Sequence, residues 1–172
     1  PIPYDPEGAK KLLDEAGWKV GADGIREKDG VKLELRYATT TREVRKNTQV
    51  IVQQMWKEVG IDTELINHSS DIFWNSYGDS GPIATGQYDV AEWSTVPFFP
   101  DPDSNQWRCK EIPSDENPAG ENWQFFCDQE LDDLFAKQTA TVDAKARIQL
   151  FYQIEKIISD KVYWVSVWDD PD

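Results

Sequence analysis

The strongest constraint on the fold is a strand–helix–strand succession with short connections between residues 31 and 65. Over residues 31–37 apolar and charged residues alternate, which predicts a strand with one buried face. Ile61, Thr63 and Leu65 repeat that alternation after the helix, so a second strand is expected there. Two strands joined through a helix pair in parallel with a right-handed crossover. The pattern therefore predicts an α/β layer structure.

The helix of this unit is predicted from its apolar repeat and from its ends. Four apolar residues recur at near-helical spacing and are expected to face the core: Val44, Ile51, Met55 and Val59. Thr40 and Glu43 have the spacing of a capping box, which favours Thr40 as the N-cap, and Gly60 is a typical C-terminal stop. The sequence thus predicts one amphipathic helix between the two strands.

Similar signals predict the other elements of the first half. Asp5 and Pro6 begin a short amphipathic helix that Gly17 ends. The dipeptide Asp29-Gly30 separates two strand-like runs and is typical of a type I′ hairpin turn. A third core strand is expected over residues 88–93.

The second half contains an irregular stretch, two helices and a strand. Residues 97–122 show no apolar periodicity and indicate a loop. One helix is predicted around three apolar residues: Leu131, Leu134 and Phe135. Asp143 caps the next helix, whose apolar residues predict that it is covered on both flanks: Ile148, Leu150, Phe151, Ile154, Ile157 and Ile158. Residues 162–168 are expected to form a final strand.

Charge and composition exclude several classes of protein. The chain carries 18 Lys and Arg against 32 Asp and Glu, a formal net charge of −14, so a nucleic-acid-binding surface is not expected. Eight Trp, six Tyr and seven Phe supply ample core material and argue against disorder. No apolar run approaches the roughly 18 residues of a membrane span. The length of 172 residues suits one ordinary domain.

The two cysteines, Cys109 and Cys127, flank an irregular segment rich in Pro, Gly and Asn. Long loops without structure are uncommon in compact domains unless they are functional or tied down. A disulfide between the two ends would tie this loop and would stabilise the fold by about 3 kcal/mol in the chain-entropy model. Two unrelated buried thiols remain the alternative, and a metal pair is disfavoured because the sequence has no CxxC motif.

No arrangement of residues predicts catalysis, a metal or a cofactor. His68 is the only histidine, and a serine beside it in sequence does not make a triad, since the base must fold against the nucleophile. Residues 101–112 begin like a calcium loop, but Gln106 and Ile112 replace the glycine and glutamate that such a loop requires. For Glu92, in a predicted strand, a solvated rim position and a ligand contact both remain open.

A family resemblance rests on a succession of motifs along nearly the whole chain. The matching pieces are Tyr4-Asp5-Pro6, Ala16-Gly17-Trp18, Asp23-Gly24-Ile25, Val59-Gly60-Ile61, Tyr88-Asp89 with Trp93, Asp101-Pro102-Asp103, and Leu131-Asp132 with Arg147. In this order they resemble the C-terminal lobe of the extracellular solute-binding proteins of ABC importers, in the dipeptide, oligopeptide and nickel family, family 5.

The resemblance implies a fold, a function and a set of partners. The fold would be a type II periplasmic-binding-protein lobe, a mixed and mostly parallel sheet flanked by helices, with a long disulfide-tethered loop. Residues 1–172 would form one domain, the domain III-like lobe of a larger receptor. Such a receptor closes on a solute outside the cytoplasmic membrane and presents it to permease subunits. Its partners are the solute, the permease and the N-terminal lobe, with no nucleic acid, no cofactor and no chemistry performed.

The resemblance also places most ligand contacts in the loop after Trp93. Seven residues are predicted to line the site: Trp93, Ser94, Thr95, Val96, Phe98, Phe99 and Asp101. Peptide-binding relatives have an Asp for the ligand's α-amino group near the position of Val96, and this departure argues against a free peptide and leaves an oligosaccharide open. The aromatic rings would stack on the solute. The alternatives are that these rings fill the core, or that the chain is a stand-alone glycan-binding or hydrolytic domain.

Overall fold

A computed structural model describes residues 3–95, 102 and 104–168 of the chain. The strands of this part are β1 (Lys19–Val20), β2 (Arg26–Lys28), β3 (Val31–Lys32), β4 (Glu34–Thr40), β5 (Asp62–His68) and β6 (Val90–Ala91). The helices are α1 (Pro6–Glu15), α2 (Glu43–Glu58), α3 (Ser70–Phe73), α4 (Gln129–Ala140) and α5 (Ala144–Asp160). Within the described residues, no helix combines the length and the apolar character needed to cross a membrane.

The chain divides into two compact units. The first comprises Pro1–Asn75 and Gly81–Thr95, and the second comprises Ser76–Ser80 and Val96–Asp172. The first unit therefore holds all six strands with α1, α2 and α3, whereas the second holds α4, α5 and the cysteine loop.

The core of the first unit is a parallel sheet in the order β5–β4–β6. β4 pairs with β5 along its whole length, from Glu34 to Thr40, and pairs with β6 at Tyr37 and Ala38. This arrangement confirms the strand–helix–strand unit and the α/β class, with a parallel sheet flanked by helices. The third strand is shorter than the predicted 88–93, because only Val90–Ala91 pairs as a strand.

The N-terminal helix and the hairpin form as their local sequences predict. Asp5 caps α1 by accepting a hydrogen bond from the Gly8 backbone N–H at 2.8 Å, and Gly17 ends the helix with φ of 89°. Asp29 and Gly30 adopt φ of 52° and 79°, the left-handed pair that a type I′ turn requires. The second arm of the hairpin divides, so β1, β2 and β3 form a separate antiparallel sheet while β4 joins the parallel one.

Helix α2 turns a different face to the sheet from the one that its apolar repeat predicts. Of the four residues expected in the core, Val59 is buried as predicted, but the other three are 39%, 53% and 42% exposed: Val44, Ile51 and Met55. The fully buried residue is instead Gln49, whose Nε2 donates to the Tyr37 carbonyl at 2.7 Å and whose Oε1 accepts from Asn67 Nδ2 at 2.6 Å. Hydrogen bonding to the sheet, rather than apolar spacing, therefore orients this helix.

The predicted capping box at the start of α2 is wrong. Arg42 occupies the N-cap position and no side chain caps the helix there. Thr40 is still part of β4, and its Oγ1 accepts a hydrogen bond from Arg45 Nη1 at 2.8 Å. Because the strand extends to Thr40, its side chain is not available to the helix N-terminus.

A buried arginine, Arg26, joins three elements of the first unit. Its Nε donates to the Val59 carbonyl at 2.7 Å, which fixes the end of α2. Its Nη1 donates to Asp14 Oδ1 at 2.6 Å and to the Trp18 carbonyl at 2.7 Å, and Nη2 donates to the Lys10 carbonyl at 3.3 Å. A guanidinium with several acceptors is the form in which a buried charge is tolerated.

In the second unit, α4 and α5 pack on each other around three buried side chains: Leu131, Phe135 and Ile154. Asp128 and Asp143 cap the two helices through their carboxylates, and the predicted cap at Asp143 is confirmed. Ile148 is 49% exposed, so the prediction that α5 is covered on both flanks is wrong at this residue. Leu150 and Ile154, which belong to the predicted face, are buried, and Ile154 packs with Leu131 and Phe135 of α4.

The loop between the two cysteines is closed by a disulfide, as predicted, between Cys109 and Cys127. Its first end is attached to α4, because Asp132 Oδ1 accepts a hydrogen bond from the Cys109 backbone N–H at 2.9 Å. Its second end is held by buried Asn122, whose Nδ2 donates to the Phe126 carbonyl at 2.9 Å. The loop is thus ordered by its own polar contacts as well as by the bridge.

The final strand predicted over residues 162–168 is wrong for the described chain. Helix α5 ends in a Schellman motif, in which the Tyr163 N–H donates to the Ile158 carbonyl and the Val162 N–H donates to the Ser159 carbonyl. Val162 adopts φ of 54°, a left-handed conformation that ends the helix and does not belong to a strand. No residue from 163 to 168 is assigned to a strand.

Candidate ligand-binding site

The candidate site lies where the three parallel strands end. β4 ends at Thr40, β5 at His68 and β6 at Ala91, and the register brings these ends to one edge of the sheet. In open sheets of parallel strands, ligands bind outside the carboxyl ends of the strands. Trp93 and Ser94 follow β6 almost directly, so the chain leaves the sheet at this edge.

Trp93 is held in place by aromatic contacts. Its ring lies 6.4 Å from the ring of Trp74, centroid to centroid, with the two planes at 85°. Trp74 in turn meets the fully buried ring of Phe73 edge-on at 5.0 Å. Edge-to-face pairs at such distances stabilise one orientation of each ring. Trp93 is only partly buried, so its ring contributes to the core and also leaves surface for a ligand.

Arg45 connects the end of β4 to the start of the predicted ligand loop. Its Nη1 donates to Thr40 Oγ1 and its Nη2 donates to Ser94 Oγ, each at 2.8 Å. Arg45 is 9% exposed, whereas Ser94 and Thr95 are exposed. The guanidinium therefore fixes Ser94, and Thr95 next to it is exposed. Sequence reasoning missed Arg45, although its spacing of four residues from Gln49 marks a polar face of α2.

Strand β6 is held at both of its ends by residues of β4. At its start, Asp89 Oδ2 accepts from Arg36 Nε at 3.1 Å. At its end, Glu92 Oε2 accepts from the Tyr37 hydroxyl at 2.6 Å, and the Glu92 carbonyl accepts from Thr39 Oγ1 at 2.7 Å. Of the two roles left open for Glu92, the structure shows a partly buried carboxylate that secures the strand end.

The ionisation of these groups follows from the same contacts. The hydrogen bond from Arg36 lowers the pKa of the Asp89 carboxyl below its usual value. Burial, together with the hydrogen bond to Glu92, raises the pKa of the Tyr37 phenol well above its ordinary value. Asp89 is therefore charged and Tyr37 neutral at physiological pH. These groups position the strand, and neither is arranged with a base and a nucleophile.

The structure brings together three of the seven predicted ligand residues: Trp93, Ser94 and Thr95. The other four lie outside the described residues: Val96, Phe98, Phe99 and Asp101. Trp107, a further aromatic residue that could stack on a solute, belongs to the second unit, where its ring lies 6.3 Å from that of Phe126. Among the described residues no group of three or more His, Cys, Asp or Glu side chains is placed to hold a metal ion.

The chain matches the model of a known protein family. The model of the middle region of the bacterial extracellular solute-binding proteins, family 5, matches residues 1–111. This range includes the parallel sheet, Arg45 and the segment after β6. The match therefore covers the elements from which the candidate site is built.

Similar proteins and structures extend the match to the second unit. The oligopeptide-binding protein AppA of Bacillus subtilis is 28% identical over 165 residues, which is 93% of this chain and 28% of AppA. The oligopeptide-binding protein OppA of Lactococcus lactis is 37% identical over 98 residues, 52% of this chain and 16% of OppA. A crystal structure of an oligopeptide-binding protein from Thermus thermophilus, complexed with a pentapeptide, is 25% identical with a TM-score of 0.82. That likeness covers 93% of this chain and 29% of the Thermus chain. The chain thus spans less than a third of each of these proteins.

Proposed function

Because the chain belongs to the bacterial extracellular solute-binding proteins of family 5, we propose that it forms one lobe of a receptor for a small solute. Residues 1–172 are the C-terminal, domain III-like lobe, and an N-terminal lobe of the same receptor supplies the other side of the cleft. The receptor closes on its solute and delivers it to the permease subunits of an ABC importer. Proteins of this family bind solutes and are not enzymes.

The observation that supports this proposal most strongly is the placement of the segment Trp93 to Thr95. It follows the edge strand β6 at the carboxyl edge of the parallel sheet, where ligands of such sheets bind. Trp93 offers a fixed aromatic surface, and Ser94 and Thr95 are exposed and carry hydroxyl groups. A rigid aromatic face beside a few polar groups is the composition of a small-molecule site.

The solute that we propose is a peptide. The two relatives above are named as oligopeptide-binding proteins, and the Thermus protein was crystallised with a pentapeptide. The sequence has the uncharged Val96 where a carboxylate would compensate an α-amino group, which favours peptides bound through apolar side chains over peptides bound by their N-terminus. An oligosaccharide, which stacks on the same kind of aromatic surface, is the competing solute.

We also propose an extracytoplasmic location, periplasmic or tethered to the outer face of the membrane. The relatives belong to an extracellular solute-binding family. The Cys109–Cys127 disulfide supports the same location, because disulfides persist in oxidising compartments and are rare in the cytosol.

The test is a titration of the whole receptor with peptides of two to nine residues and with oligosaccharides, followed by calorimetry. We expect saturable peptide binding, and Trp93→Ala should weaken it at least about tenfold, which is about 1.4 kcal/mol. The matched control is Tyr152→Ala, an aromatic residue of α5 that is 60% exposed and lies in the other unit. Binding of oligosaccharides without peptides would reassign the solute.

A second measurement tests whether the chain is only one lobe. Closure of a two-lobed receptor costs free energy that contacts from both lobes must offset, so the 172-residue chain alone should bind a peptide poorly. Micromolar or tighter binding by this chain alone, about 8 kcal/mol, would contradict the lobe proposal and favour a stand-alone binding domain.

A further inference from the structure

Glu92 has one carboxylate oxygen that its role in the sheet does not use. Its Oε2 accepts the hydrogen bond from the Tyr37 hydroxyl, whereas its Oε1 is shielded from solvent and has no hydrogen-bond partner among the described residues. Within the same part of the chain, no Lys or Arg side chain forms an ion pair with Glu92. Securing the end of β6 therefore engages only half of this carboxylate.

An acceptor of this kind is unfavourable in the unbound protein. Shielding a polar atom from water without giving it a donor costs its free energy of hydration, and the cost is larger for a charged group. Nearly all buried polar atoms of native proteins have a partner, and exceptions occur where a protein has a catalytic role or binds water or an ion. Glu92 directly precedes the candidate ligand residues Trp93, Ser94 and Thr95, so its position favours a bound group as the partner of Oε1.

The other polar atoms of Glu92 are all engaged with β4. The Glu92 backbone N–H donates to the Ala38 carbonyl at 2.9 Å, and the Glu92 carbonyl accepts from Thr39 Oγ1 at 2.7 Å. With the bond from the Tyr37 hydroxyl at 2.6 Å, three contacts hold the residue against the neighbouring strand. A group that is fixed before binding loses little conformational freedom on binding. Oε1 is thus a single acceptor that is already held in place.

The chemistry of Oε1 favours a cationic N–H group as its partner. Of Glu92 and the three described ligand residues, only Glu92 has an ionisable side chain. Hydrogen bonds from a cationic N–H group to a carboxylate are about twice as strong as those between neutral groups. A metal ion is a poorer partner, because the described residues contain no group of three or more His, Cys, Asp or Glu side chains placed to hold one.

We propose that Glu92 Oε1 accepts a hydrogen bond from a cationic N–H group of the bound peptide, so that the receptor prefers peptides that present such a group. The inference rests on the proposed function. Two parts of a peptide have this chemistry, the N-terminal ammonium group and the side chain of a basic residue. The net charge of −14 attracts both from a distance, but that attraction is screened by salt, whereas a contact with a shielded carboxylate is screened much less.

The test is calorimetry of the whole receptor with four pentapeptides, in about 0.5 M salt to screen the general attraction. The peptides are Ala-Lys-Lys-Lys-Ala and Ala-Met-Met-Met-Ala, each with a free and with an acetylated N-terminus. If a basic side chain meets Glu92, the Lys peptides should bind at least about tenfold more tightly than the Met peptides. If the ammonium group meets it, acetylation should weaken binding by the same factor. Affinities that agree within about twofold for all four peptides overturn the proposal.

Two variants assign the preference to Glu92. Glu92→Gln keeps the size of the side chain and an oxygen for the Tyr37 hydroxyl but removes the charge, so the preference for the cationic peptide should fall to about twofold or less. The matched control, Glu58→Gln, removes the same charge from an exposed residue at the C-terminal end of α2 and should leave the preference intact. Tyr37→Phe keeps the carboxylate but releases Oε2, and should lower the preference about threefold. A preference that survives Glu92→Gln overturns the proposal, and if that variant does not fold, survival in Tyr37→Phe does so.

The same titration distinguishes this inference from the proposed function. Binding of all four peptides without a preference for a cationic group refutes only the role of Glu92, and a peptide remains the solute. Binding of none of the four peptides refutes the proposed solute and the role of Glu92 with it.

Discussion

The fully buried amide of Gln49 provides the sharpest test of how α2 is attached to the sheet. Its two short hydrogen bonds, to the Tyr37 carbonyl and from Asn67, each contribute about 0.5–1.5 kcal/mol to stability. Gln49→Met keeps most of the side-chain volume, loses both bonds and leaves the Tyr37 carbonyl with one acceptor site unfilled. We expect it to lower the free energy of unfolding of the first unit by about 2 kcal/mol.

Two other substitutions at Gln49 test the same reasoning. Gln49→Ala adds a cavity to the lost bonds, so the loss should rise to about 3 kcal/mol. Gln49→Glu places a carboxyl in the buried site, where burial raises its folded-state pKa above the unfolded value. The folded state then binds more protons than the unfolded state, so this variant should be least stable at neutral pH. The difference in the free energy of unfolding between Gln49→Glu and the unsubstituted protein should shrink as the pH falls toward about 4.3, the ordinary pKa of Glu.

The measurement is amide exchange of β4 and β5, which reports the opening free energy of the sheet itself. The matched control is Gln54→Met on the same helix, because Gln54 is exposed and the change there should stay within about 0.5 kcal/mol. If Gln49→Met lowers the free energy of unfolding no more than Gln54→Met does, hydrogen bonding does not orient α2. If the loss of stability in Gln49→Glu does not depend on pH, burial does not raise the pKa of the new carboxyl.

Three further predictions concern the second unit. Replacing Cys109 and Cys127 by Ser opens a loop with a sequence separation of 18 and should lower the free energy of unfolding by about 3 kcal/mol, measured by urea denaturation without reductant. Val162→Gly should raise the melting temperature, because φ of 54° costs a β-branched residue about 1 kcal/mol, and a lower melting temperature would contradict this. The hydrogen bond from Lys161 lowers the folded-state pKa of Asp128 below its ordinary value of 3.8, so its stabilisation is complete above that pH and is lost as the pH falls further. Asp128→Asn should therefore remove part of the loss of stability seen in acid denaturation.

Several of the elements that the sequence predicts correctly are fixed by neighbours in the chain. The cap at Asp5, the turn at Asp29-Gly30 and the cap at Asp143 each depend on a few adjacent residues, and all three form as predicted. Which face of α2 is buried depends instead on the groups of the sheet against which the helix packs. Apolar spacing identifies a stripe, but Gln49 is buried because carbonyl and amide groups of the sheet need partners.

The candidate site also has one part that the sequence predicts and another that it does not. The family resemblance predicts a ligand site after Trp93, and of the residues predicted to line it, Trp93, Ser94 and Thr95 follow β6 at the carboxyl edge of the sheet. The link from Arg45 to Ser94 joins residues 49 positions apart, and no local pattern encodes such a contact. The strand-forming composition of residues 162–168 predicts a terminal strand, but composition does not indicate whether a partner is present.

The contacts of Arg26 have a practical consequence for any shortened form of this protein. Helix α1 is an obvious candidate for deletion, because it lies near the start of the chain and none of its side chains is fully buried. Deleting it, however, would remove the acceptors at Lys10 and Asp14 and leave the guanidinium half satisfied inside the protein. A cut placed after Gly17 should therefore yield an insoluble or partly unfolded product, and a shortened protein would need Arg26 replaced by an uncharged residue such as Met.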